Sequence, residues 1–198
     1  MKLEAFNPST HDSTTIAHRI YETDSEIYDA LFGTKDNALS IFSKILTEEN
    51  DTYFNAPYMQ CIVEGDACIG VVGSYEGRVM RAVERHTSKR IMKYMSVSNR
   101  IKRFKIARKV AKISRISMED DALYILNLVI DPAMRGKGYG RKVIEKLHES
   151  YNTIYLHVNY KNNDARMFYE SLGFEKTEEY YDCHKQTPIG YIILKHTV

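Results

Sequence analysis

The spacing of apolar residues divides the chain into a helical first part and an alternating second part. Segments with apolar residues three or four apart predict amphipathic helices at 15–21, before Gly33, and at 38–46. Strand-forming residues dominate at 58–64 and 67–75, and Gly65-Asp66 between them predicts a hairpin. A short first strand is predicted at 2–6.

Strands and helices alternate from residue 123 onward. Residues 123–130 form an eight-residue apolar run with a single Asn, which is long enough only for a buried strand. Helices are predicted at 142–149 and 164–172, and strands at 153–158, 174–181 and 189–195. This order predicts a mixed α/β (α+β) fold with a final antiparallel hairpin. Because the chain has 198 residues, we interpret 1–198 as a single domain.

Charge is distributed very unevenly along the chain. Residues 78–115, called here the basic segment, hold 14 Lys and Arg but one acid, Glu84, which is a net charge of +13. The remainder holds 14 bases and 25 acids, a net −11, so the overall +2 hides two large opposite values. Such an arrangement of a basic segment in an acidic body needs a physical explanation.

Apolar residues in the basic segment fall on two helical stripes. They are Met80, Val83, Ile91, Tyr94 and Met95, followed by Ile101, Phe104, Ala107, Val110 and Ala111. We therefore predict that residues 78–117 are an inserted basic helical hairpin between the third and fourth strands. Its apolar faces should pack and its basic faces should be exposed, with Ser98 or Asn99 capping the second helix.

Several roles for this insertion remain open. It could cover part of the sheet while its Lys and Arg side chains stay in water. It could also bind an acidic or phosphorylated acceptor, or a nucleic acid, which we do not favour. As a third option, it could bind an acidic patch of this protein, or of a second copy in a homodimer.

Cysteine content and hydropathy predict a cytoplasmic protein without a membrane segment. Cys61, Cys68 and Cys183 form no CxxC pair, which favours reduced thiols. The N-terminus has no signal-like apolar run, and no stretch approaches the length of a membrane-spanning helix. The histidines and cysteines lack zinc-site spacing, so we predict no metal.

A glycine-rich turn follows the buried strand 123–130. Gly136, Gly138 and Gly140 alternate with other residues between this strand and the next helix. Glycines let backbone N–H groups converge, and a helix N-terminus adds partial positive charge, so the turn predicts an anion cradle. The spacing matches neither Walker A nor the dinucleotide fingerprint. The alternative is a turn that binds no ligand.

Two motifs together resemble the GNAT superfamily of acyl-CoA-dependent N-acetyltransferases. The first is Arg-x-x-Gly-x-Gly at 135–140, and the second is Asn-x-x-Ala-x-x-Phe-Tyr-x-x-x-Gly-Phe at 162–174. The resemblance covers 123–174 and extends less clearly to the C-terminus. It implies a twisted mixed sheet, flanked by helices, whose fourth and fifth strands splay apart to admit pantetheine.

The same resemblance implies where acetyl-CoA binds. Backbone groups of Leu128, Val129 and Ile130 would pair with the pantetheine amides, as an added strand does. Asn162 would bond the pantetheine arm. The pyrophosphate would be held by the residues of the glycine-rich turn and the start of the next helix, namely Arg135, Gly136, Lys137, Gly138, Tyr139, Gly140 and Arg141.

The resemblance implies a catalytic acid, but relatives differ in which residue acts as the base. Tyr169 would protonate the departing thiolate, unless it is only a core aromatic. Some relatives carry a Glu base on the fourth strand, where this chain has Tyr124, and others carry one on the fifth strand, where it has His157. His157 is the candidate base. A water-mediated transfer, an amine that arrives neutral, or a purely structural His157 remain alternatives.

The sequence therefore predicts an enzyme that transfers an acetyl group from acetyl-CoA to a primary amine by direct attack. The acceptor, a small molecule or a protein, is not identified. The competing hypothesis is a nucleic-acid or acidic-protein binding module with a vestigial acyl-CoA site.

Overall fold

The computed structural model describes residues 1–48, 52–182 and 189–198. Its elements in chain order are β1 (Lys2–Ala5), α1 (Ser13–Thr23), α2 (Ser25–Phe32), α3 (Lys35–Thr47), β2 (Met59–Glu64), β3 (Ala67–Glu76), α4 (Gly77–Tyr94), α5 (Val97–Ile113), β4 (Leu123–Ile130), α6 (Tyr139–His148), β5 (Thr153–Asn159), α7 (Asn163–Glu170), β6 (Glu175–Asp182) and β7 (Ile189–Thr197). A single 3-10 turn, Pro132–Met134, follows β4.

The strands form one sheet in the order β1-β2-β3-β4-β5-β7-β6. Neighbouring strands are antiparallel except β4 and β5, which are parallel. The predicted mixed α/β architecture is confirmed, including the final antiparallel pair.

Apolar side chains cover both faces of this sheet. Ile20 of α1 and Phe42 of α3 are fully buried on one face. Val143 and Ile144 of α6 are buried on the other face, together with Ile125 of β4. The helical stripes of these elements are therefore core-facing, as their periodicity predicts.

The pairing of β4 with β5 stops after three residues. Leu123, Tyr124 and Ile125 pair with β5, and the rest of β4 pairs only with β3. Opposite Gly73 and Ser74 of β3 stand Asn127 and Ile125, so Leu126 is the extra residue of a β-bulge. The bulge and the end of pairing coincide, and the expected splay between the fourth and fifth strands is present.

Both predicted helices of the insertion are present, and each packs on a different part of the body. On α4, Met80 and Val83 are buried as predicted, as is Met95 directly after the helix, and α4 packs against α3 and β3. In contrast, α5 crosses to α2, β6 and β7. Arg103 Nη1 donates to the Ala30 carbonyl at 3.4 Å, and Lys109 Nζ lies 3.0 Å from an Asp182 carboxylate oxygen.

The predicted apolar face of α5 is largely wrong. Ile101 and Phe104 are 74% and 59% exposed, and Ala107 and Ala111 are also exposed, whereas Ile113 is buried. The reason is that α5 carries apolar residues on two sides, and packing against α2 and β6 selected the side with Ile106, Val110 and Ile113. The helix also begins earlier than expected, because Ser96 rather than Ser98 or Asn99 caps it, accepting from the Asn99 N–H at 3.2 Å.

This orientation of α5 predicts opposite effects for two isoleucines of the same helix. Ile113→Ala should lower the free energy of unfolding by about 2–5 kcal/mol, because it empties a buried site. Ile101→Ser should change it by less than about 0.5 kcal/mol, because that side chain is exposed. Urea unfolding measures both. Equal losses would contradict this orientation, and a larger loss in Ile101→Ser would show that α5 buries the other face.

Candidate active site

The glycine-rich turn after β4 contains glycines that are required for two different reasons. Gly136 and Gly138 have φ of 74° and 79°, a left-handed conformation that favours glycine. Gly140 instead makes room for α7, since a Cβ there would lie 2.8 Å from Phe168 Cζ. The first two glycines therefore shape the turn, and the third lets α6 and α7 approach closely.

The N-terminus of α6 has no side-chain acceptor among the described residues that would compete with a bound anion. Its N-cap is Gly138, no side chain caps the helix, and its first turn contains no acid. The first N–H groups of the helix thus have no side-chain acceptor, and the helix dipole adds positive potential there. Lys137 and Arg141 are exposed beside this turn, while Arg135 Nε donates to the Ile130 carbonyl at 3.0 Å. These features fit a pyrophosphate group.

The second half of β4 provides the other part of a binding surface for acetyl-CoA. Beyond Ile125, the residues Leu128, Val129 and Ile130 pair with β3, so the edge toward β5 is unpaired. Asn162 caps α7, its Oδ1 accepting from the Ala165 N–H at 3.0 Å, which leaves its amide nitrogen as the group able to donate to a ligand. Tyr139 opens α6 and is half-buried beside the same turn.

Tyr169 lies on α7 and is part of the core cluster that also contains Ile125 and Val143. Its side chain is 8% exposed, and its ring contacts Phe168 and Phe174 with centroid distances of 5.0 and 5.3 Å. Its hydroxyl has no hydrogen-bond partner among the described residues. Burial raises the pKa of Tyr169, so its phenol keeps the proton throughout the neutral range.

His157 contacts Tyr124, which stands where some relatives carry a Glu base. Its Nδ1 lies 2.9 Å from Tyr124 Oη, so the fourth-strand and fifth-strand positions are hydrogen-bonded to each other. Its Nε2 is buried without a partner in the described part of the chain. Burial lowers the pKa of His157 to about 4. The imidazole is therefore neutral at neutral pH and is a weak base.

Asp24 was not identified from the sequence, although it joins the first helices to the end of the sheet. Tyr191 Oη donates to its Oδ2 at 2.5 Å, and Asn159 Nδ2 donates to its Oδ1 at 3.2 Å. Burial raises the pKa of Asp24. Because its partners lie 135 and 167 residues away, no local sequence signal could have found this contact.

A second group missed from the sequence consists of Tyr53, Tyr75 and Tyr124, called here the tyrosine cluster. Ring centroids of Tyr53 and Tyr75 lie 6.1 Å apart, and those of Tyr75 and Tyr124 lie 5.2 Å apart. Tyr75 Oη donates to Glu84 Oε1 at 3.4 Å. One sequence signal could have pointed to this group, namely that Glu84 is the single acid of the basic segment. The cluster extends from Glu84 to the hydrogen bond with His157.

Asn127 at the bulge was also missed as a polar group of the core. It is 4% exposed, and neither its amide nitrogen nor its amide oxygen has a partner among the described residues. Gly73 accommodates it, because a Cβ there would lie 2.5 Å from Asn127 Oδ1.

The described residues provide no metal-binding cluster and no membrane-spanning helix. No group of three or more His, Cys, Asp and Glu is placed to hold a metal within 1–48, 52–182 and 189–198. No helix in these ranges is long and apolar enough to cross a membrane. Cys61 and Cys68 are free thiols, and Cys183 lies outside the described residues.

Comparison with known proteins matches this geometry to one family. Residues 100–176 match the family model of the acetyltransferase (GNAT) domain. An N-acetyltransferase from Staphylococcus aureus Mu50 superposes with a TM-score of 0.68 and 18% identity, covering 98% of this chain and 100% of that one. The chain has the GNAT fold.

Other solved structures share this GNAT fold at low identity. Arabidopsis thaliana Naa50, in complex with the bisubstrate analogue CoA-Ac-MVNAL, has a TM-score of 0.51 and 16% identity, covering 100% of this chain and 98% of that one. A second structure, described as an acetyltransferase, has a TM-score of 0.64 and 14% identity over the full length of both chains. No curated protein matches the sequence.

The resemblance to the GNAT superfamily is thereby confirmed. The family match covers residues 100–176, and the activity that it supports is proposed below. The roles of individual residues stay predictions.

The low pKa of His157 predicts a pH-dependent stability. The folded pKa of about 4 lies below the ordinary value of 6.5, so the unfolded chain binds this proton more readily between those values. The contribution is fully present above 6.5 and is lost as the pH falls toward 4, amounting to about 1–3 kcal/mol. Urea unfolding between about pH 7 and about pH 5 should therefore show a smaller loss in His157→Gln than in the native protein.

The matched control is His18→Gln, which removes an exposed histidine of α1. It should keep the native pH dependence. If His157→Gln and the native protein lose stability in parallel, then His157 is not buried in its neutral form.

Proposed function

We propose that this protein transfers an acetyl group from acetyl-CoA to a primary amine by direct attack. The observation that carries this proposal is the loss of β4–β5 pairing after Ile125, so that an unpaired half of β4 leads into the glycine-rich turn. An unpaired strand edge offers N–H and C=O groups in the pattern that the amides of pantetheine can complement.

Binding would use mostly backbone groups of this chain. Leu128–Ile130 would pair with the pantetheine arm, and the amide nitrogen of Asn162 would donate to it. The N–H groups at the start of α6 would bind the pyrophosphate, with Lys137 and Arg141 adding charge from the rim. This arrangement orients the thioester without requiring a covalent acyl-enzyme.

The chemical step needs one proton donor and a route for one proton to leave. The amine nitrogen attacks the thioester carbonyl carbon, the C–N bond forms, and the C–S bond then breaks. The departing thiolate takes the proton of the Tyr169 hydroxyl, which burial keeps protonated. The amine loses its own extra proton to solvent.

His157 then acts mainly by orientation. With a pKa of about 4, it accepts a hydrogen bond from an amine but does not retain a proton at neutral pH. We therefore propose that its neutral ring, held by Tyr124, directs the amine and passes its proton to water.

Ligand binding predicts a thermal shift that depends on the glycine-rich turn. Acetyl-CoA at about a hundredfold excess over its Kd should stabilise the protein by about 2.7 kcal/mol and raise its Tm. In Gly138→Ala this shift should be lost, because alanine is strained at a φ of 79° and the turn rearranges.

The control is Gly65→Ala, which places the same strain in the β2–β3 turn at a φ of 60°. Neither glycine has a neighbour that a Cβ would meet within 4 Å, so the two variants differ in location only. Gly65→Ala should lose stability but keep the shift. An equal shift in Gly138→Ala would contradict phosphate binding at this turn.

Removing the Tyr169 hydroxyl should slow turnover without weakening cofactor binding. Tyr169→Phe should lower kcat by about 10- to 10⁴-fold, the range for loss of a general acid, while the KM for acetyl-CoA stays within about twofold. Tyr151→Phe removes a hydroxyl that is bonded to Glu76 instead, and it should leave kcat unchanged. Unchanged kcat in Tyr169→Phe would remove Tyr169 from this role.

A further inference from the structure

Glu84 lies on a strongly basic helix and has no cation partner within 1–48, 52–182 and 189–198. The α4 helix contains six Lys and Arg residues, and Glu84 is its only acid. Among the described residues, its carboxylate accepts a hydrogen bond from the hydroxyl of Tyr75 alone. Glu84 stands four residues after Met80 and three before Thr87, both buried, so it lies on the sheet-facing side of the helix. Its side chain nevertheless remains exposed, which leaves it accessible to a ligand.

The tyrosine cluster begins at this carboxylate. Tyr75 contacts Glu84 directly, and its ring lies between those of Tyr53 and Tyr124. Tyr53 is half-buried and is fixed to α4 by a hydrogen bond from its N–H to Thr87 Oγ1 at 3.2 Å. Ring faces attract cations, most strongly where water is partly excluded. An acid bonded to Tyr75 at the edge of the tyrosine cluster is therefore a setting for an ammonium group.

The tyrosine cluster also connects Glu84 to the proposed reaction centre. Tyr124 is its far member, and the Tyr124 hydroxyl is hydrogen-bonded to His157. The unpartnered, buried Nε2 of His157 is the acceptor available there for an amine N–H. Glu84 and His157 thus mark the two ends of one row of aromatic rings, in which Tyr75 and Tyr124 are buried.

The opposite side is closed by contacts that a polypeptide acceptor would have to displace. Asp24 holds Asn159 and Tyr191, and Lys161 Nζ lies 2.8 Å from Glu26 Oε2, so α2 is joined to the end of β5. Across the same region, α5 is bound to α2 through Arg103 and to Asp182 through Lys109. These contacts favour a small acceptor over a polypeptide chain.

We propose that the acceptor is a small amine with a second positive charge, whose remote ammonium binds Glu84 and the tyrosine cluster while its reacting amine meets His157. This inference rests on the proposed acetyl transfer and specifies its substrate class. Glu84 acts here as a specificity-determining residue, and no proton passes through it.

The test compares a diamine with its matched monoamine. Release of CoA is measured with 1,4-diaminobutane, with butylamine and with a short peptide that has a free N-terminus. We expect kcat/KM for the diamine to exceed that for butylamine by about tenfold or more, since a partly desolvated charge pair contributes that much. The peptide should be the poorest acceptor.

Substitution of Glu84 should change one kinetic constant for one substrate. Glu84→Gln should raise the KM for the diamine about tenfold while kcat stays within about twofold, and it should not alter the kinetics of butylamine. Glu145→Gln, which removes an exposed carboxylate from α6, is the matched control and should behave as the native protein. Tyr53→Phe should retain diamine binding because the ring remains, whereas Tyr53→Leu should weaken it several-fold.

The inference and the proposed function can fail separately. Calorimetric titration of the protein with 1,4-diaminobutane, with and without added CoA, measures acceptor binding whether or not turnover occurs. Equal kcat/KM for diamine and butylamine, a preferred peptide, or diamine binding that Glu84→Gln does not weaken would each overturn the substrate class. Failure of acetyl-CoA to bind or be consumed, together with diamine binding that depends on Glu84, would instead overturn acetyl transfer and retain the cation site.

Discussion

The organisation of this protein depends on the point where β4 and β5 stop pairing. A strand edge inside a sheet leaves backbone N–H and C=O groups without partners, which is costly unless water or a ligand satisfies them. Here the loss of pairing follows Ile125, and the bulge at Leu126 redirects β4 at the same place. The opening therefore arises from the backbone itself, and the side chains around it are positioned by its two strands.

The two helices that follow the splayed strands, α6 and α7, pack closely against each other. Gly140 of α6 lies against Phe168 of α7, so the helices approach each other where the strands diverge. This contact fixes the glycine-rich turn relative to Tyr169, which is next to Phe168 on α7. A larger residue at 140 would separate the anion cradle from the proposed acid, and this explains the third glycine better than backbone conformation does.

The orientation of the basic segment explains how its charge is accommodated in the fold. Its bases lie mostly at the surface, where Arg90 and Lys93 approach Glu48 and where Lys109 pairs with Asp182 of the acidic body. Its single acid lies beside the tyrosine cluster. The segment with a net charge of +13 therefore contributes a negative group to the proposed acceptor side, which the charge count alone would not suggest.

The sequence by itself determined the order of strands and helices, the buried fourth strand, the glycine-rich turn and the family resemblance. These features depend on residues close together in the chain, whose spacing reports directly on local structure. The tertiary structure decided which side of α5 is buried, since both sides carry apolar residues and periodicity cannot choose between them. It also decided the chemistry of His157, because the pKa of a histidine follows from its surroundings, and Tyr124 and Tyr191 come from strands distant in sequence. The assembly of Glu84, the tyrosine cluster and Asp24 was decided in the same way, by packing between segments that only the folded chain brings together.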